Sequence, residues 1–362
     1  MKGIIKKAIA AGSVFALSLG LAACSGGGDT PSDDGSGSGN SDFIGCVVSD
    51  GGGFQDKSFN QSALEGLTSA QASLGIQVKQ AESKNENDYE SNLKAMVANN
   101  CSLIVPVGFA LSDATKASAE ENPSVNYAII DDDAISLPNV KPVVFDTAQA
   151  SYLAGYLAAG YSKTHVLGTF GGMEFPSVQI FMDGFQQGAA KYDADNGTTT
   201  TVLGWDGEKK TGQYVGSFTD STGGKTVAKA QIDQKADILF PVAGGAGLGA
   251  AAAAKEAGNV DVIWVDADGV LTQPDYAGVF LTSVMKNIAA AVETTISSML
   301  GGAAFSNTPY VGTIENGGVG LAPYHEFESK VDSALQEKVT ALQQEIASGA
   351  VKVESTFSPK AQ

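Results

Sequence analysis

The chain has 362 residues, with 22 basic against 40 acidic side chains and a net charge of −18. Such acidity counts against nucleic acid, whose phosphates demand a basic footprint. Every basic residue is a lysine, so the planar fork that clamps carboxylates and phosphates is missing, and the two histidines, His165 and His325, are too few for a three-imidazole zinc site.

Lys2, Lys6 and Lys7 precede an apolar run over residues 8–22. The run is too short to span a bilayer comfortably, so residues 1–23 read as a secretory signal. The segment "LAAC", residues 21–24, resembles the bacterial lipobox, in which the signal is cut before a cysteine that becomes acylated. Cys24 is therefore the expected lipidation site, and the Gly/Ser/Asp-rich residues 24–41 suit a flexible tether. The expected location is the outer face of the cell membrane, held there by the lipid anchor alone. Removing the signal leaves 19 lysines against 40 acidic residues, a balance of −21.

From residue 43 short apolar runs alternate with amphipathic stretches. Strands are predicted over 43–49, 76–81, 102–107, 127–130 and 142–145, then over 166–170, 199–204, 236–241, 260–265 and 278–284. Helices are predicted over 59–74, 89–98, 177–192, 224–234, 247–257 and 331–347. Continuous apolar strands separated by helices indicate parallel sheets covered on both faces, hence an α/β chain of doubly wound sheets. The rhythm breaks near residues 145–151, which places 42–147 plus about 278–304 in a first lobe and 148–277 plus about 305–362 in a second. A cleft between two such lobes is the expected ligand site, because ligands bind at the carboxyl ends of the strands. Cys46 and Cys101 fall on strand-like runs and read as buried free thiols.

The strand ends carry acids: Asp50 after the first, Asp131 to Asp133 after the fourth, and Asp266 and Asp268 after "DVIWV". Carboxylates accept from ligand hydroxyls, amines or N–H edges. Ser58 and Gln61 fit a capping box that starts a helix at Phe59. The Walker-like "FTDSTGGKT" lacks a glycine at Thr219 and reads as a turn before an ordinary helix. Gly245, Gly247 and Ala250 match a dinucleotide turn, yet an exported chain meets no nicotinamide supply, so no cofactor is expected. No nucleophile elbow or H-E-x-x-H run occurs, which leaves an enzyme as the minority reading.

The blocks "DGGGFQDKSFNQSALEGL", "YAIIDDD", "VVFDTAQASYLAGYLA", "GSFTDSTGGKTVAKAQIDQKADILFPVAGGAGLG" and "VIWVDAD" occur in that order. Together they resemble the Bmp/Med/PnrA family of substrate-binding lipoproteins, which deliver nucleosides to ABC importers. The resemblance implies a type I periplasmic-binding-protein fold, with two lobes, a hinge and an interlobe cleft. It implies a purine nucleoside ligand, ABC permease subunits as partners, and a monomer. Carried over, Phe59 would stack on the base, with Ser58 or Asn60 and Asp131 or Asp133 on its edge. Asp50, Asp266 and Lys286 would hold the ribose, helped by backbone at Gly244 and Gly245. Phe175 and Phe240 are both candidates for a second stacking ring, and Glu174 would reach the sugar. A sugar or polyol receptor on the same fold, a signalling receptor and a dinucleotide-dependent enzyme are the competing readings.

Overall fold

The computed structural model describes residues 40–360. The signal segment, Cys24 and nearly all of the tether lie outside these residues.

The apolar runs form two six-stranded sheets. The first contains β1 (Ile44–Val48), β2 (Gln77–Ala81), β3 (Leu103–Pro106), β4 (Asn126–Ile130) and β5 (Val140–Phe145). The second contains β6 (Val166–Gly171) and β7 (Thr201–Leu203) and, beyond a two-residue ribbon of β8 (Trp205–Asp206) and β9 (Thr211–Gly212), β10 (Ile238–Val242), β11 (Asp261–Asp266) and β12 (Phe280–Lys286). A sixth strand completes each sheet, β13 (Tyr310–Gly312) in the first and β14 (Val319–Leu321) in the second. The orders are β13-β5-β4-β3-β1-β2 and β14-β12-β11-β10-β6-β7, so the lobes repeat one pattern. Within the two six-stranded sheets all pairs are parallel except β12 with β14, and the ribbon of β8 and β9 is antiparallel.

Among the described residues ten α-helices link and cover the sheets: α1 (Phe59–Leu74), α2 (Tyr89–Ala98), α3 (Ser112–Glu121), α4 (Thr147–Tyr161), α5 (Pro176–Asn196), α6 (Ser221–Asp233), α7 (Leu248–Ala257), the single turn α8 (Gly269–Thr272), α9 (Ile288–Leu300) and α10 (Ser333–Ala347). On α1 the residues Ala63, Leu67 and Ala70 are fully buried at helical spacing. Helix α4 is buried nearly all round and shows no polar face, which is why the pattern of residues 145–151 read as a break. It packs against α5 so closely that a Cβ at Gly184 or Gly188 would overlap the α4 backbone. Among the described residues no helix is long and apolar enough to cross a membrane.

Three expectations need correction. Strand β12, placed in the first lobe by sequence, pairs with β11 from Val262↔Phe280 to Asp266↔Met285 and belongs to the second sheet. Only α9 after it returns to the first lobe, where it packs on α1 through Gly66 and Ala289. Conversely, β13 lies in the first sheet although its region was assigned to the second lobe. An apolar strand carries no mark of which sheet it joins. Third, Cys46 and Cys101 form a disulfide with Cα atoms 5.9 Å apart. The parallel pairing of β1 with β3 brings them together, since Cys46 pairs with Ile104 and Cys101 lies two residues before β3 begins.

Candidate functional site

In lobe 1 the chain leaves β1 and turns at once. Asp50 Oδ1 accepts from Gly52 N at 2.8 Å and from Asn60 Nδ2 at 2.7 Å, while Asp50 N donates to Asn60 Oδ1 at 3.0 Å. Gly53 completes the turn at φ +67°, a left-handed conformation that glycine adopts without Cβ cost. Burial pushes the Asp50 carboxyl up to about 6, against the pull of its two donors.

Helix α1 then begins, but its cap is not the expected one. Asp56 accepts from the backbone N–H groups of Ser58, Asn60 and Gln61 at 3.1, 2.7 and 3.1 Å. Gln61 turns its side chain to Glu65 Oε1 at 2.8 Å instead of completing a capping box. Because Asp56 supplies the cap, the Ser58 hydroxyl is free to cross the cleft. It lies 3.1 Å from Asp266 Oδ2 and 3.2 Å from the Val265 carbonyl, both in lobe 2.

Asp131 follows β4 and Asp266 ends β11, equivalent places in the two sheets. Both have left-handed backbones, φ 65° and 66°, which Asp tolerates better than most residues. Between them sits Lys286, the last residue of β12 and only 5 % exposed. Its Nζ pairs with Asp131 Oδ2 and lies 3.7 Å from Asp266 Oδ1, beyond hydrogen-bonding distance. Asp266 Oδ1 accepts no hydrogen bond from the described residues, and the Asp266 residue lines the cavity. Burial pushes both carboxyls up, and the neighbouring ammonium pulls them down. The same ammonium lies 4.8 Å from the Phe59 ring centroid, 5.2 Å from Phe181 and 5.7 Å from Phe145.

Aromatic rings from both lobes frame the rest. Phe175, the N-cap residue of α5, packs at 5.2 Å against Phe109 of lobe 1 and at 6.0 Å against Phe218. Together these residues surround an interlobe cavity of about 610 Å³, open solvent at its mouth included. Asp50, Phe59, Asn60, Asp131, Phe175, Gly244, Gly245, Asp266 and Lys286, all singled out by sequence, line it. Four carboxylates, counting Asp56, face it with Lys286 as the one cation among the described lining residues. The walls can therefore accept from hydroxyl and N–H groups, and the rings can cover a flat apolar face.

Four expected residues fall elsewhere. Ser58 is fully buried behind the wall and acts on the site through Asp266. Asp133 borders a neighbouring cavity and accepts from Lys360 N at 3.2 Å. Glu174 is exposed and lines none of the main cavity. Phe240 is 0 % exposed and packs on Phe185 and Phe181, at 4.8 and 6.2 Å, because its side of β10 faces α5. Conversely, sequence reading missed Asp56, Phe109, Phe181 and Phe218. Phe109 follows Gly108 just past the end of β3, the kind of place that flagged Asp50. Phe218 sits inside the Walker-like segment, whose turn brings its ring to the cavity wall.

The residues 43–356 match the model of the Bmp family, described as ABC transporter substrate-binding protein PnrA-like. The chain is 30% identical over 333 residues to the ABC transporter nucleoside-binding protein BmpA of Lactococcus lactis subsp. cremoris, covering 87% of this chain and 90% of that one. It is 34% identical over 253 residues to basic membrane protein A of Borreliella burgdorferi, covering 69% and 70%. Among solved structures, an ABC transporter system solute-binding protein from Aeropyrum pernix K1 superposes with a TM-score of 0.77 at 25% identity, covering 86% of this chain and 92% of that one. With the two-lobed fold and the cleft at its strand ends, these matches place the chain in the Bmp family of PnrA-like ABC transporter substrate-binding proteins.

Proposed function

We propose that this protein is a lipid-anchored extracytoplasmic receptor that captures a nucleoside, a purine nucleoside foremost, and hands it to the permease of an ABC importer. The observation that carries the reading is the pairing of strand-end carboxylates around a single lysine with phenylalanine rings from both lobes. A nucleoside is uncharged, flat at one end and rich in hydroxyls at the other. It suits aromatic rings and carboxylate acceptors, and it needs no arginine fork. Asp266 Oδ1, buried without a donor, would accept a ribose hydroxyl, and Phe59 would cover the base. The name of the Lactococcus relative supports the same ligand class. Closure of the lobes around the ligand would present one combined face to the permease. The lipobox-like "LAAC" and the tether-like residues 24–41 support anchoring through Cys24, with the receptor acting as a monomer.

Titration calorimetry with inosine, adenosine, guanosine, cytidine, ribose and galactose tests the ligand class. Binding of nucleosides at micromolar or lower Kd is expected, with no response to the sugars. Sugar binding without any nucleoside response would replace this reading with a polyol receptor. Anchoring is tested separately by detergent-phase partitioning, where Cys24→Ser should move the protein to the aqueous phase.

A further inference from the structure

We infer that residues 354–360 form a strap that clasps the two lobes together and slows the escape of bound ligand. The strap is fastened firmly to lobe 2. Ser355 Oγ donates to Asp183 Oδ2 at 2.7 Å, and Gln187 Nε2 donates to the Glu354 carbonyl at 3.0 Å, both on α5. Asp183 is 1 % exposed and also holds Lys210 Nζ at 2.9 Å, so this anchor is rigid. Phe357 then packs edge-on against Trp205 at 6.0 Å.

Beyond Phe357 the strap leaves lobe 2. Ser358 Oγ donates to Asp146 Oδ1 at 2.9 Å, where the chain first crosses between lobes, and Lys360 N donates to Asp133 Oδ2 at 3.2 Å in lobe 1. The lobe 1 fastening is thus two hydrogen bonds, part-buried at Asp146 and exposed at Asp133, whereas the lobe 2 end adds the packing of Phe357 on Trp205 to its two. Any rotation that parts the lobes strains these two bonds.

The position of the strap gives this clasp a consequence for the ligand. Residues 356–360 wall a second cavity that shares Phe109, Asp131, Ser177 and Lys286 with the main one. The strap therefore shields the Lys286–Asp131 side of the cleft from solvent while it holds the lobes. It also gives Asp133 its role, which is to receive the strap and not the ligand.

This inference rests on the cleft being a ligand trap, and not on which ligand fills it. The test uses the mature chain, a chain lacking residues 357–362, and Lys360→Pro, which removes the N–H that reaches Asp133. Two quantities are read: the dissociation rate of radiolabelled inosine in a chase, and hydrogen exchange of the backbone around residues 131–134 without ligand. The truncation should release inosine about tenfold faster, equivalent to ~1.4 kcal/mol. Lys360→Pro should fall between it and the parent, and both variants should exchange faster around 131–134. Unchanged dissociation and unchanged exchange in a folded Lys360→Pro variant would overturn the strap, even if the truncated chain fails to fold. Should inosine not bind the parent chain at all, the nucleoside reading fails and exchange alone decides the strap.

Discussion

The two lobes use one strand order and place matched acids and rings on it, but a lysine on one side only. β4 and β11 occupy the same place in their sheets, and each leads into an acid with a left-handed backbone, Asp131 or Asp266. One strand further out, β5 ends in Phe145 whereas β12 ends in Lys286. The helix after the first strand of each sheet, α1 or α5, opens at a phenylalanine: Phe59 is the first residue of α1 and Phe175 the N-cap of α5. A repeated scaffold thus delivers matched acids and matched rings from both sides, and a single lysine from one side only. Lobe 1 left alone would confront the cleft with Asp50, Asp56 and Asp131 and no cation among its described lining residues. Lobe 2 supplies the charge that makes this acidic wall tolerable.

The comparison breaks most visibly if that lysine is removed. Lys286→Met leaves two buried carboxylates without their cation, and such losses cost ~3–5 kcal/mol. Urea unfolding should show a drop of that order, and Lys286→Met with Asp131→Asn should regain part of it. The asymmetry sharpens at Asp50, which has amide donors but no cation. Its carboxyl lies at about 6 in the fold against 3.8 for the free group. The folded protein therefore holds this proton more tightly than the unfolded chain does. The group favours folding below pH 3.8, loses that contribution as pH rises to about 6, and does not regain it above. Asp50→Asn keeps an oxygen for Gly52 and Asn60, so at pH 7.5 it should stabilise by roughly 1–3 kcal/mol, and at pH 4 hardly at all. Denaturant midpoints at the two pH values check this.

Truncating the rings compares the lobes directly. Phe59→Ala should weaken nucleoside binding by roughly 1–3 kcal/mol, the range for lost base stacking. Calorimetry on Phe175→Ala shows whether lobe 2 contributes an equal share. The smallest expected effect is at Asp56. Asp56→Ala strips the cap from α1 and should cost ~1 kcal/mol, read as a lower Tm.

Much of this arrangement was legible in the sequence because it lies at strand ends. Asp50, Asp131 and Asp266 stand where apolar runs stop, and Phe59 stands where helical spacing begins. What escaped depends on contacts between distant segments. The Ser58 hydroxyl looked like a local cap, whereas its partner Asp266 is 208 residues away. The run "ILFPV" is buried on both faces, so no alternation tells which face Phe240 takes. Helix α4 has no polar side to betray it. The Cys46–Cys101 bond follows from β1 lying beside β3, a pairing that no local pattern encodes.

The central claim, that rings and acids from both lobes read the two halves of a nucleoside together, is tested most directly by titrating inosine, hypoxanthine and ribose side by side. If both halves of the cleft engage at once, the nucleoside should bind at least about 100-fold more tightly than either fragment, a difference of ~2.8 kcal/mol. Hypoxanthine or ribose binding as tightly as inosine would contradict it.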